Sequence, residues 1–213
     1  MNIQKEIKGG NPMKKLQKSA KSLDRFFLFM QRLTVAVCVI GGIGLFLAWY
    51  MWLADRNIWE ILYTTLKFGG IEFQIDKSFA PAENSFFWYL LIGTLAGAVQ
   101  LPVLYMTFGA IRGILGLMVE GTPFHEHIVY YLKKLGWLTV ASGVIGIIAG
   151  FVLQGNLLQQ YDLGALFLSD AVTKVTTSYS ADLSFIIYAL VLFLLAEVFH
   201  YGLELQTLSD ETL

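Results

Sequence analysis

Four long apolar runs, separated by stretches that hold nearly all the charge, constrain this chain more than anything else in it. The runs cover Leu33–Leu53, Phe86–Ile111, Gly136–Leu153 and Leu183–Ala196, the last continuing past one acid to about Leu203. A bilayer core is crossed by about 20 predominantly apolar helical residues, so each run is long enough or nearly so. Soluble proteins carry about 25% charged residues; this chain has 15%, against 56% hydrophobic. A soluble domain would also show amphipathic stripes rather than uncharged stretches. The expected fold is therefore an all-α integral membrane protein, a four-transmembrane-helix bundle.

The boundaries follow from the same pattern. Residues 1–25 form a basic N-terminal arm, 26–205 the transmembrane domain, and 206–213 an acidic tail. Helices are expected at about 27–53, 86–118, 123–153 and 183–205, with outer segments 54–85 and 154–182. The first run ends in the bulky Trp49-Tyr50-Met51-Trp52, so it reads as a retained anchor and not a removed signal peptide. Either Met1 or Met13, which is followed by two lysines, would serve as a start. The lone Cys38 excludes an intramolecular disulfide and is expected to be a small buried apolar residue.

Charge orients the bundle. Lysines and arginines number eleven on the side of the N-terminal segment, the 112–135 loop and the C-terminal tail, against four on the other side. The positive-inside rule places both termini and the 112–135 loop in the cytoplasm, in a multi-pass membrane protein. Aromatic clusters at Trp49, Tyr50, Trp52, Trp59 and at Phe86–Tyr89 mark the outer interface. The arm from Lys14 to Arg25 is expected to lie on anionic membrane lipids.

The outer segments are too long to be simple turns. Phe68-Gly-Gly-Ile-Glu-Phe-Gln-Ile-Asp alternates apolar and polar residues after a Gly-Gly turn signal, which predicts a short strand or hairpin. The β-branched stretch 171–179 predicts a second strand region, and the two could form a small extracytoplasmic cap. Small-residue spacings at Gly93/Gly97, Gly109/Gly113 and Gly146/Gly150, and the patch Gly41, Gly42, Gly44, fit close helix approach within the chain or in a homo-oligomer.

The distinctive chemistry gathers at the inner ends. In Glu120-Gly-Thr-Pro-Phe-His-Glu-His, Gly121 suits the stop of helix two, Thr122 the N-cap of helix three and Pro123 its first turn, with Phe124 and His127 following. Glu197 interrupts the fourth run and is expected to face the bundle, with Arg112, Lys133 or Lys134 as donors. Glu197, His200 and Glu204 share a helix face, but a di-iron bundle needs two such motifs plus carboxylates on other helices, and His125, Glu126 and His127, which alone could complete a site, do not match in order; no metal or cofactor is expected. In helix two, Pro102 should kink or unwind the span, and Gln100 beside it could mark a transport pathway.

Gly121-Thr-Pro-Phe, Leu135-Gly-Trp-Leu, Leu195-Ala-Glu-Val-Phe-His-Tyr-Gly and the ending Asp210-Glu-Thr-Leu resemble the bacterial DUF2975 family of four-span membrane proteins. The likeness runs from Met13 onward. Members typically carry a basic residue where His200 stands and often Asn near His127. The resemblance implies a regulatory, signalling or immunity-like role, since such proteins are often encoded beside small helix-turn-helix regulators.

No serine–histidine–acid spacing or phosphate loop is present, and the chain is read as non-enzymatic. The leading expectation is a protein that binds a cytoplasmic partner, such as a small helix-turn-helix regulator, through Phe124–Lys134 and the acidic tail, without contacting nucleic acid itself. The alternative is a small transporter or channel component built on Gln100, Pro102 and Glu197.

Overall fold

The computed structural model describes residues 12–53, 65–68, 71–74, 83–122, 125–160 and 181–211. Four long helices dominate: α1 (Pro12–Leu53), α2 (Glu83–Glu120), α3 (Glu126–Gln160) and α4 (Ser184–Glu211). Between α1 and α2 lies an antiparallel hairpin of β1 (Thr65–Phe68) and β2 (Ile71–Gln74), with Thr65 opposite Gln74 and Phe68 opposite Ile71. Gly69 and Gly70 separate the strands in sequence, the residue pair that a two-residue hairpin connection favours. The stretch 171–179, expected as a strand, lies outside the described residues, as do residues 1–11.

Each helix carries a stretch long and apolar enough to cross a membrane: Lys14–Leu47, Leu91–Glu120, Glu126–Leu153 and Ser184–Ser209. Only 6–11% of each stretch is buried within the protein. Helices apolar on nearly every side, and not covered by their own chain, are stable where the solvent is itself apolar.

The helices outrun the expected boundaries. The basic arm is not separate from the first span: α1 continues without a break from Pro12 to Leu53. Pro12 is suited to the first helical position, and no glycine or proline follows until Gly41. The segment expected as an acidic tail is likewise helical to Glu211. Pro102 sits inside α2, which carries on as helix to Glu120.

The chain divides into two compact units. One takes in Met1–Val35, Pro102–Ser142 and Leu183–Leu213, the other Ala36–Leu101 and Gly143–Asp182. The core of the first is built by Ile128, Val129 and Leu132 of α3 with Ala196 of α4, flanked by Ile114 and Leu117 of α2 and by Leu192, Phe199 and Leu203. Ile128 and Ala196 are 1% and 0% exposed, so this contact is fully dry. Close approach depends on two glycines. A methyl on Gly136 would fall 2.6 Å from Cε1 of Phe193, and one on Gly113 would collide with the Tyr131 ring.

In the second unit, a methyl on Gly93 would meet Leu153 Cδ2 at 3.6 Å, an ordinary contact, whereas Gly97, Gly146 and Gly150 face open space. Gly41, Gly42 and Gly44 also have no neighbour within 4 Å. Residues 35–44 of α1 are exposed on every side, and this overturns the expectation for Cys38, which is exposed. Its apolar surroundings are neighbours along its own helix, and no other helix covers it.

Candidate functional site

The site begins with the face α1 presents to α2. Gln17, Ala20, Asp24, Phe27, Gln31 and Thr34 recur at alternating spacings of three and four, which puts them on one side of the helix. All six are buried or half-buried, while Leu16, Leu23, Phe26, Phe29 and Leu33 point away and are exposed. The helix thus turns Gln17, Asp24, Gln31 and Thr34 inward with Ala20 and Phe27, and leaves its lysines, Arg25, Arg32 and most of its large apolar residues outward.

Arg112 of α2 organises this seam. Its Nε donates to Oδ1 of Asp24 at 2.9 Å, and its Nη1 donates to Oε1 of Gln31, also at 2.9 Å. Asp24 and Gln31 are two turns apart on one face, and the forked guanidinium reaches both. Phe27 packs on Phe108 with ring centroids 5.9 Å apart, and Gly109 leaves room for the Gln31 amide.

A second ion pair joins α3 to α4. Lys133 Nζ lies 2.8 Å from Glu197 Oε1. The expectation that Glu197 faces inward is corrected, because its side chain is 63% exposed. The cause is rotational phase. Ala196 occupies the dry contact and the next residue is turned about 100° around the helix; the same step separates buried Leu132 from Lys133. The donor is Lys133, one of the three expected, whereas Arg112 is held by α1.

The interhelical contacts also give relative heights. Asp24 meets Arg112, Gly113 meets Tyr131, and Lys133 meets Glu197. Asp24, Arg112, Lys133 and Glu197 therefore stand at one level, a girdle with one paired charge per helix. The two acids and two bases offset each other, while Arg25 and Lys134, one residue on, add two positive charges that make no ion pair among the described residues.

Beyond the girdle lies the α2–α3 connection. Gly121 has φ 83° and its N–H donates to the Met118 carbonyl, while the Thr122 N–H donates to the Leu117 carbonyl at 3.1 Å. These two bonds form a Schellman stop, with glycine where the left-handed backbone requires it. Thr122 Oγ1 also donates to Leu117 O at 3.2 Å. Thr122 therefore closes α2 and does not cap α3, contrary to the expectation. The cap of α3 is His125: its Nδ1 accepts the His127 N–H at 3.2 Å, and its carbonyl accepts the Ile128 N–H at 2.9 Å. An accepting Nδ1 places the ring proton on Nε2. Pro123 and Phe124 lie outside the described residues.

His200 Nε2 approaches Glu204 Oε1 at 3.5 Å along α4, with both side chains exposed. Among the described residues no group of three or more His, Cys, Asp or Glu could hold a metal ion. Gln100 is half-buried and falls in the second unit, whereas Pro102 opens the first unit's share of α2. The residues that sequence reasoning missed are Gln17, Asp24, Gln31 and His125. For the first three the signal was available in the seven-residue spacing of polar, non-basic residues within an otherwise apolar and basic stretch. No protein family, curated protein or solved structure matches the chain.

Proposed function

We propose that the chain is a non-enzymatic protein of a bacterial cytoplasmic membrane that binds a cytoplasmic partner, in a regulatory or immunity-like role. Both termini lie inside on this reading, supported by the excess of lysine and arginine on one side of the four apolar helices. The hairpin then belongs to an extracytoplasmic cap. The observation that carries the reading is the exposed charge at the end of the first unit. There α4 runs on as helix to Glu211 with Glu204 and Glu211 exposed, beside exposed Glu126, His127 and Tyr130 at the start of α3.

A rigid helix end rich in carboxylates suits a basic partner, such as a small helix-turn-helix regulator, through complementary potential. The resemblance to the DUF2975 family points the same way. The basic part of α1 is held along α2 by the Asp24–Arg112 contact, and on this reading its exposed lysines meet anionic lipid headgroups. The test is recovery of a cytoplasmic protein with the full chain from native membranes, followed by binding of the two purified components. Binding should be lost when residues 203–213 are deleted and when Glu204 and Glu211 are both changed to Lys. Recovery of no partner, together with pH-dependent flux in liposomes abolished by Glu197→Gln, would replace this reading with transport.

A further inference from the structure

We propose that the chain forms a two-fold symmetric dimer in which the inner end of α1 of each protomer packs on the inner end of α4 of the other. This goes beyond the cytoplasmic partner above and engages the same two acids, Glu204 and Glu211, so its test reads crosslinking between two copies of the chain and not recovery of that partner. The starting point is apolar surface in the wrong place. At and past the girdle, Leu16 and Leu23 on α1 and Val198, Tyr201 and Leu205 on α4 are 45–62% exposed, and Phe26, two residues to the other side of Asp24, continues the α1 face at 52%. Leu16 and Leu205 each lie eight residues beyond the girdle residue of their own helix, about 12 Å along the axis. The lysines 14, 15, 18 and 21 share that zone and are exposed. A level populated by free lysines is not hydrocarbon, so lipid tails do not cover these leucines.

The spacing on both helices is that of a packing seam. Leu16, Leu23 and Phe26 sit at i, i+7 and i+10, and Val198, Tyr201 and Leu205 at i, i+3 and i+7, which are positions of one heptad pattern. The charges beside the two seams are opposite. Lys14, Lys15, Lys18, Lys21 and Arg25 make no ion pair among the described residues, and α4 offers Glu204 and Glu211.

Helix polarity adds a second complementarity. The first turn of α1 holds lysines and no acid, and the last turn of α4 holds acids and no base. Each end therefore carries the charge its own dipole disfavours. Laying one end beside the other relieves both.

Height and symmetry select a second copy over an unrelated protein. Following Gln17–Gly121, Gly113–Tyr131 and Lys133–Glu197 across the helices puts Leu16 within a turn of Leu205, and Leu23 between Val198 and Tyr201. Two copies inserted the same way in one membrane are related by an axis along the helices, which preserves height. The α1 seam of one copy then meets the α4 seam of the other in register, twice, and the contact closes.

The test uses the full chain in native membranes with Cys38→Ser and two differently tagged copies, one carrying Leu16→Cys and the other Leu205→Cys. Mild oxidation should give the mixed disulfide-linked pair. Replacing Leu205→Cys with Glu126→Cys, which is exposed on α3 and lies seven residues from Lys133 and so within about one residue's rise of the height of Leu205, should lower the yield at least about fivefold. Lys15→Glu with Lys18→Glu should lower it about fivefold as well, and Glu204→Lys with Glu211→Lys should restore it. Equal yield from the Glu126→Cys control, yield indifferent to charge reversal, or a single-copy mass for the unmodified chain in nanodiscs would each overturn the proposal.

Discussion

Replacing Arg112 by Met tests whether the polar seam of α1 is a structural element or a chance contact. Arg112 makes two charge-assisted bonds, to Asp24 Oδ1 and Gln31 Oε1, both at 2.9 Å. Bonds to charged groups contribute about 1.5–3 kcal/mol each when buried. Here Arg112 and Asp24 side chains are each 31% exposed, so solvent screening lowers that figure. A loss of about 2–3 kcal/mol is expected for Arg112→Met, which also strands the Asp24 carboxylate between two helices. Asp24→Asn keeps an acceptor and loses only the charge, and should cost about 1 kcal/mol.

The double variant Asp24→Leu, Arg112→Met removes both charges and replaces them with apolar groups. It should recover more than half of the Arg112→Met loss, since an absent pair is less costly than a broken one. The assay is reversible unfolding in mixed micelles, followed by tryptophan fluorescence and analysed as a double-mutant cycle. A coupling below about 0.5 kcal/mol would refute the reasoning. So would an Arg112→Met loss no larger than that of Lys134→Met, whose side chain makes no ion pair among the described residues.

Glycine substitutions should separate sharply. Gly113→Ala drives a methyl into the half-buried Tyr131 ring and should destabilise by about 1–3 kcal/mol, whereas Gly97→Ala, with open space around it, should be neutral or slightly stabilising in the same unfolding assay. Gly121→Ala forces a side chain into φ 83° and places its Cβ 3.2 Å from Gln17 Nε2; a loss of about 1 kcal/mol is expected, and no loss would argue against the Schellman stop. His125→Ala should cost about 1 kcal/mol while His125→Asn, an equally able cap, should cost less than half of that. Equal losses would show that the Nδ1 bond is not what holds the start of α3.

Different kinds of information decided different parts of this protein. The four long apolar helices were legible because hydropathy adds up along a segment, so Leu183–Ala196 reads as a candidate span whatever surrounds it. The hairpin at Gly69-Gly70 and the stop at Gly121 were legible for a related reason: backbone geometry at these points depends on a few adjacent residues. Helix ends were less so. Nothing in Pro12–Arg32 breaks a helix, yet its charge made it look like a separate arm until α1 was seen packed along α2. Thr122 had the chemistry of an N-cap, but the two bonds back to α2 claimed it, and His125 took the role instead.

Pairing was not legible at all from order along the chain. Arg112 could have reached Glu197 as readily as Asp24 by charge alone. Which acid it holds depends on the height and rotation of each helix against its neighbour, and those were set by small contacts such as Gly113 on Tyr131 and Ala196 in the α3 core. Glu197 shows the same point in reverse, since a 100° step past Ala196 turned an expected interior acid into an exposed one. Composition along each segment was enough to make four helices long and apolar enough to cross a membrane and to sort charge toward their ends. Only the packing of one helix against the next decided which charges meet, because rotation and register are properties of the pair of helices and not of either sequence alone.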